Sequence, residues 1–156
     1  PIYHWMMPSR RPIVIALAEA GGSAAEIAAV ELTDLDLDAG TVAFRGEAAR
    51  TNRFPAEALT ALRSALTEGA VVGGRRLVVG DSLDVNKAKR SVTQELSETI
   101  RDAGLSRTPR VSGRSIRLHH ALTIFHAEGI GAAVRFLGAQ SVDTTMRSLG
   151  LTVDDL

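Results

Sequence analysis

The segment GRSIRLHHALTIFHAEGIGAAVRFLGAQSVDTTMRSLG, residues 113–150, decides the expected fold. Gly129 and Gly138 divide it into three short runs, each with apolar residues at helical spacing. Glycine commonly ends a helix because it adopts a left-handed backbone conformation without a steric penalty. The segment therefore predicts three consecutive helices, at about 115–128, 131–137 and 142–149.

A long helix is expected before this segment, and the loop-like residues 105–113 separate the two. Asp81 or Ser82 is the expected N-cap, and Gly104 is the expected stop signal. The apolar face of this helix would be formed by Val92, Leu96 and Ile100. The elements expected before it are a loop at Gly73-Gly74 and a short extended piece at Leu77–Val79.

The first 70 residues combine helices with a small ribbon of strands. Residues 10–20 predict a helix with Ser9 as a possible N-cap. Ser23 and Glu26 have the spacing of a capping box, which predicts a second helix ending near Leu32. Strands at Thr41–Arg45 and Thr51–Phe54 are expected to form a small antiparallel hairpin, or a three-stranded ribbon if Leu35–Leu37 is the first strand. A helix from Pro55 to Gly69 is expected next, with Leu59, Leu62 and Leu66 on its apolar face.

The expected fold class is mainly α with a small antiparallel β-ribbon (α+β), in a single domain spanning residues 1–156. Residues 1–8 and 151–156 are expected to be tails, and no separate N-terminal domain is seen. The absence of cysteine excludes disulfide scaffolds and Cys-ligated metal sites. No apolar run approaches the roughly 18 residues of a membrane span, and no leader is seen. A membrane partner is therefore not expected. The expected location is the bacterial cytoplasm.

The charge is balanced in total but uneven along the chain. Eighteen basic side chains face eighteen acidic ones. Residues 87–117 nevertheless hold eight basic and three acidic side chains, a local charge of +5. Two readings stay open, a solvated helix with its loop or a strip that faces phosphates.

Three stretches together resemble the catalytic domain of the tyrosine recombinases, the phage-integrase family. The first, LAEAGGSAAEIAAVELTDLDLDAGTVAF at residues 17–44, is similar to the family's helix–helix–strand run. The second, FRGEAARTNRFP at residues 44–55, is similar to the β-hairpin pattern GKGxKxRxVP. The third is residues 113–150, similar to HxLRHxxAxxxxxxG…LLGHxxxxTTxxY. Its most specific part is LGAQSVDTT, residues 137–145. The resemblance implies the recombinase catalytic-domain fold.

In this family a tyrosine attacks a DNA phosphodiester, while two arginines and a histidine stabilise the phosphate, a lysine acts as general acid, and a second histidine orients and helps to deprotonate. The resemblance places the six role positions, in chain order, on Ser23, Glu47, Arg114, Arg117, Ala139 and Ser148. Only Arg117 matches the family residue. The chain's one tyrosine is Tyr3, far from position 148. The resemblance therefore implies a degenerate member with no catalytic residues of its own, a pseudo-enzyme.

The arginines and lysines near these positions are candidates for contact with DNA. Arg117 would contact the scissile phosphate, and Arg114 one turn earlier would share its helix face; a surface or ion-paired arginine is the alternative. The DNA-binding residues proposed from the sequence are Arg114, Arg117, Arg50, Arg53, Lys87, Lys89 and Arg90. His119 and His120 are read mainly as packing residues, and no metal site or cofactor is expected.

Two functions remain open from the sequence. The first is an inactive tyrosine-recombinase-like protein that binds double-stranded DNA in integration or recombination without cutting it. The second is a protein-interaction module that docks on a partner through the same fold. That partner would be a second copy or an active recombinase, reached through the C-terminal segment TVDDL at residues 152–156.

Overall fold

The computed structural model describes residues 10–70, 75–80 and 84–156. Its elements in chain order are α1 (Arg11–Glu19), α2 (Ala24–Ala29), β1 (Leu35–Asp36), β2 (Thr41–Phe44), β3 (Arg50–Arg53), α3 (Ala56–Thr67), α4 (Val85–Asp102), α5 (Arg114–Glu128), α6 (Ile130–Leu137) and α7 (Val142–Leu149), with 3-10 turns at Leu32–Asp34 and Val153–Asp155. This mainly helical architecture with one small antiparallel sheet confirms the predicted fold class. Predictions that fall on Tyr3, Ser9, Gly73-Gly74, Asp81 and Ser82 lie outside the described residues.

The turn between α1 and α2 is fixed by the predicted capping box. The Ser23 hydroxyl accepts from the Glu26 amide at 3.3 Å, and the Glu26 carboxylate accepts from the Ser23 amide at 2.9 Å. The second helix is shorter than predicted, because the backbone at Val30 adopts an extended conformation. The Val30 carbonyl accepts from the Leu77 amide at 2.8 Å, so a tertiary contact replaces further helix.

The sheet has the order β1–β2–β3 with both pairs antiparallel. Val42 pairs with Leu35 on one side and with Asn52 on the other. Val42 and Phe44 alternate toward the core and are nearly fully buried, which is the pattern of a strand with one buried face. The predicted three-stranded ribbon is therefore confirmed.

The prediction of an extended piece at Leu77–Val79 was wrong. These three residues form a turn, closed where the Arg76 amide donates to the Gly80 carbonyl at 3.1 Å. Gly80 has a φ of 65°, a left-handed conformation that glycine adopts without strain. The turn drives Leu77 and Val78 into the core, so their apolar character reflects burial and not strand pairing.

Helix α1 lies at the centre of the main core and packs against α2, α3, α4 and α5. Val92, Leu96 and Ile100 of α4 are buried, as predicted. The N-cap of α4 is Asp84, whose carboxylate accepts from the Lys87 amide at 3.0 Å. In α3 only Leu62 of the predicted stripe is fully buried, because the small residues Ala58 and Ala65 fill the rest of the contact.

Helices α5, α6 and α7 follow one another as predicted, and Gly129 and Gly138 separate them. A smaller apolar cluster joins them, built on Ala121, Phe136 and Leu137. Within the described ranges, none of the helices is long and apolar enough to cross a lipid bilayer.

Candidate nucleic-acid interface

Two cavities lie on either side of Arg117. The first, named here the hairpin-side cavity, has a volume of about 500 Å³ and lies between the β2–β3 turn, α2 and the end of α6. The second, named the α4-side cavity, has a volume of about 540 Å³ and lies between the α1–α2 turn, α4 and the start of α5. Ser23 and Arg117 line both of them.

The hairpin-side cavity brings together residues that are far apart in sequence. Ser23, Glu47 and Arg117 all line it, and so does Gly138, which precedes Ala139. These are three of the six positions that the recombinase resemblance singles out, with a fourth adjacent. Ala139 itself packs against the small apolar cluster of the last three helices. Ser148 is partly buried on α7 and does not line this cavity.

Arg117 is held in place by backbone carbonyls. Its Nε donates to the Gly21 carbonyl at 2.8 Å, and its Nη2 donates to the Leu137 carbonyl at 2.5 Å. It forms no ion pair within 4 Å in the parts of the chain that the structure describes. Burial lowers the pKa of Arg117, and the nearby charges of Arg50 and Arg114 lower it further, while Glu26 opposes them. Arg117 is thus a half-buried cation without a directly bound counter-ion.

Arg50 is fully committed to internal contacts. Its carboxylate partner is Glu26, with which it forms hydrogen bonds of 2.5 and 3.1 Å. It also donates to three backbone carbonyls at 2.9 Å each, those of Phe136, Ala48 and Gly21. All five N–H groups of its guanidinium therefore have an acceptor. The DNA contact proposed for Arg50 stays a prediction, and this geometry argues against it because no donor remains for a phosphate.

Glu26 was not among the sequence-predicted site residues. Burial raises the pKa of Glu26, but hydrogen bonds from Arg50 and from the Ser23 amide outweigh that effect and leave the pKa lowered. The capping-box spacing identified the local role of Glu26. Its pairing with Arg50 depends on how β3 packs against α2, which no local pattern records.

The α4-side cavity is lined by cations from residues 87–117, the segment with a local charge of +5. Lys89, Arg114 and Arg117 line it, and no carboxylate is among the described residues of its wall. The side chains of Lys89 and Arg114 form no hydrogen bond or ion pair with other described residues. Three cations from two helices therefore border one concave surface, and two of them have no partner within the described part of the chain.

The remaining proposed DNA-binding residues lie elsewhere on the surface. Lys87 and Arg90 are exposed on α4, and Arg90 lines a shallow groove there together with Lys89. Arg53 is exposed on β3 and borders a separate groove that β3 forms with α5 and α6. The seven residues thus do not form one continuous patch, and their contact with DNA stays a prediction.

The histidines of α5 have different surroundings. His119 is exposed, whereas His120 is half-buried with its ring edge-on to Phe136 at 5.5 Å between centroids. Burial lowers the pKa of His120, and the neighbouring His119 adds to this effect. In residues 10–70, 75–80 and 84–156 no three His, Asp or Glu side chains are placed to hold a metal ion.

Comparison with solved structures identifies the fold. No protein-family model matches the sequence, and no curated protein matches it significantly. XerA recombinase superposes with a TM-score of 0.68 and 21% identity, over 99% of this chain and 62% of that one. The Tn1549 transposon integrase, solved in complex with a circular intermediate DNA, superposes with a TM-score of 0.61 and 11% identity. That match covers 93% of this chain and 55% of the integrase chain.

Both neighbours are tyrosine recombinases, so the chain has the fold of the tyrosine recombinase catalytic domain. At these identities the likeness establishes the fold alone. This chain also spans less than two thirds of either neighbour.

Proposed function

We propose that this chain binds double-stranded DNA through the surface around the α4-side cavity and does not cut it. The observation that carries the proposal is the cavity wall itself. Lys89, Arg114 and Arg117 border it, and no described carboxylate does. Cations without internal partners bind phosphates with little competition, and they release the counter-ions condensed on DNA.

The structural neighbours support a DNA-related role. XerA is a recombinase, and the Tn1549 integrase was solved with DNA bound. The α4-side cavity adjoins Arg117, the residue that matches the family's phosphate-binding arginine.

The residues at the role positions support the absence of strand cleavage. Ser23 uses its hydroxyl to cap α2, where the family has a phosphate-binding arginine. Glu47 would repel a phosphate at the position of the general-acid lysine. Ala139 and Ser148 lack the histidine and the tyrosine. Because losing one stabilising donor typically costs about 10²–10³ in rate, the combined loss leaves no useful transesterification.

Fluorescence anisotropy with a labelled duplex at several salt concentrations tests the binding half. We expect a steep loss of affinity with salt, and removal of both free cations in Lys89→Gln/Arg114→Gln should reduce the slope by about 2. The matched control is Arg101→Gln, an exposed arginine on α4 about 18 Å along the helix from Lys89. An equal loss in the control, or no binding at low salt, would refute the proposed surface.

A nicked suicide duplex tests the catalytic half. It traps any protein that becomes covalently joined to DNA. We expect no adduct on a denaturing gel, for the chain itself and also for Ser148→Tyr, because restoring the nucleophile does not restore its supporting charges. An adduct formed by the unmodified chain would overturn the inactive assignment.

A second candidate function is docking on a partner chain. The C-terminal turn presents Val153 and Leu156 with 78% and 61% of their surface exposed, so both are accessible to a partner. Glu47 beside the former phosphate position also disfavours DNA there. If the duplex does not bind at low salt, and light scattering shows self-association that is lost on deleting residues 152–156, docking becomes the better assignment.

A further inference from the structure

The α4-side cavity has three walls. The α1–α2 turn contributes Ala18, Gly22, Ser23 and Ala24 to it, and α4 contributes Lys89, Thr93, Leu96 and Ser97. The third wall is the start of α5, where a Cβ on Gly113 would lie 2.8 Å from the Leu96 Cβ. Glycine at position 113 thus lets α5 begin in direct contact with α4. The cavity is a recess defined by packed helices.

The donors of this recess exceed what one phosphodiester can use. Besides Lys89, Arg114 and Arg117, the backbone amides of Gly113 and Arg114 have no acceptor among the described residues. They open α5, a helix of 15 residues whose N-cap provides no side-chain hydrogen bond. Unsatisfied amides at such a helix start favour anions.

We propose that the α4-side cavity receives a terminal phosphate, a phosphomonoester, in preference to an internal phosphodiester of DNA. A phosphomonoester carries a charge near −2 at neutral pH and three free acceptor oxygens. It therefore matches three cations, two of them without a partner among the described residues, and two free amides better than a diester, which has one charge and two free oxygens. This inference rests on the proposed DNA-binding function, since the phosphate is that of a DNA end or nick.

The size of the recess suits the same ligand. The volume of about 540 Å³ lies within the range of roughly 300–1,000 Å³ typical of pockets for small ligands. The apolar side chains of Ala18, Ala24 and Leu96 line the rest of the cavity, where the attached sugar would pack.

A free nucleotide carries the same terminal group, so the experiment separates the two sources. Anisotropy would be measured on one duplex sequence in four forms: 5′-phosphorylated, 3′-phosphorylated, unphosphorylated and closed by hairpins at both ends. We expect about 10-fold tighter binding of at least one phosphorylated form than of the other two. Competition with a deoxynucleoside monophosphate at millimolar concentration should remove this preference only partly, because the free nucleotide lacks the duplex contacts.

Variants assign the preference to the cavity. Lys89→Gln and Arg114→Gln, both at exposed positions, should each reduce the 10-fold preference to below about 3-fold. Arg101→Gln is the matched control, because Arg101 is exposed on the same helix outside the cavity and should leave the preference unchanged.

Each result has a defined consequence. Equal affinity for all four duplexes, with a steep salt dependence, overturns the terminal-phosphate inference and leaves the DNA-binding proposal standing. A preference that survives both cavity variants also overturns it, because the end is then recognised elsewhere. A nucleotide that binds as tightly as the phosphorylated duplex shows that free nucleotides are the ligand. Failure of all four duplexes to bind removes both proposals.

Discussion

Replacing Arg50 by methionine tests whether the internal ion pair organises the site. The side chains of Arg50 and Glu26 are only 11% and 13% exposed, so the pair is largely removed from water. Breaking such a pair by deleting one partner costs about 3–5 kcal/mol, because the other charge stays buried and unpaired. Since a little solvent reaches both groups, we expect a loss of about 3 kcal/mol for Arg50→Met.

The loss would be measured by urea unfolding, followed by far-UV circular dichroism, and by the thermal midpoint. For a chain of this length about 3 kcal/mol corresponds to a decrease of roughly 6–12 °C in the thermal midpoint. Arg53→Met is the matched control, because Arg53 is exposed on the same strand and should change the stability by at most about 0.5 kcal/mol. A loss below about 1 kcal/mol for Arg50→Met would contradict the structural role assigned to the pair.

The pH dependence of the same variant gives an independent check. The pKa of Glu26 in the folded chain is below its ordinary value of 4.5. A carboxylate with a lowered pKa contributes stability above its unfolded pKa and loses it as the pH falls through the folded value. The stability difference between the unmodified chain and Arg50→Met should therefore be constant above about pH 6 and shrink below pH 4.5.

Two further predictions concern backbone and charge at the edges of the site. Gly138→Ala should cost clearly more stability than Gly150→Ala, as measured by their urea midpoints. Both glycines have φ near +65°, but only at position 138 would a Cβ lie within 3 Å of Arg50 and Ala48. Glu19→Gln should raise the urea midpoint at pH 7, because burial, followed by the charge of Glu57, raises the pKa of Glu19 above 4.5. That gain should diminish toward pH 4.5, and a destabilised Glu19→Gln would refute the stated cause.

Features of the fold that depend only on residues close together in the sequence could be predicted from it. The capping box can be recognised from two residues, Ser23 and Glu26, that lie three positions apart. The buried face of α4 can be recognised from apolar residues that recur at the period of a helix. The three C-terminal helices follow from glycines that end them. The turn at Leu77–Val79 was mistaken because a short apolar run has the same composition whether it pairs in a sheet or fills a core.

The organisation of the site depended on contacts that no local pattern encodes. The sequence proposed both Arg50 and Arg117 as DNA contacts and did not separate their roles. In the structure the Gly21 carbonyl accepts from both side chains, at 2.9 and 2.8 Å, and Glu26 neutralises one of them. Tertiary packing decides which cation is paired with a carboxylate and which is not. Lys89 and Arg114 could therefore not be distinguished from Arg50 on the sequence alone.

The two cavities beside Arg117 give a physical reason why binding and cleavage can separate in this fold. On the hairpin side, where the family carries out its chemistry, Glu47 and Glu26 add negative charge, and Arg50 has no free donor. On the α4 side, Lys89 and Arg114 have no hydrogen-bond or ion-pair partner among the described residues. The proposed phosphate site therefore shares Ser23, Arg114 and Arg117 with the family's role positions but lies away from Glu47. Under the proposed function, Ser148→Tyr alone gives no covalent adduct, because Glu47 stays at the general-acid position and Arg50 stays paired with Glu26.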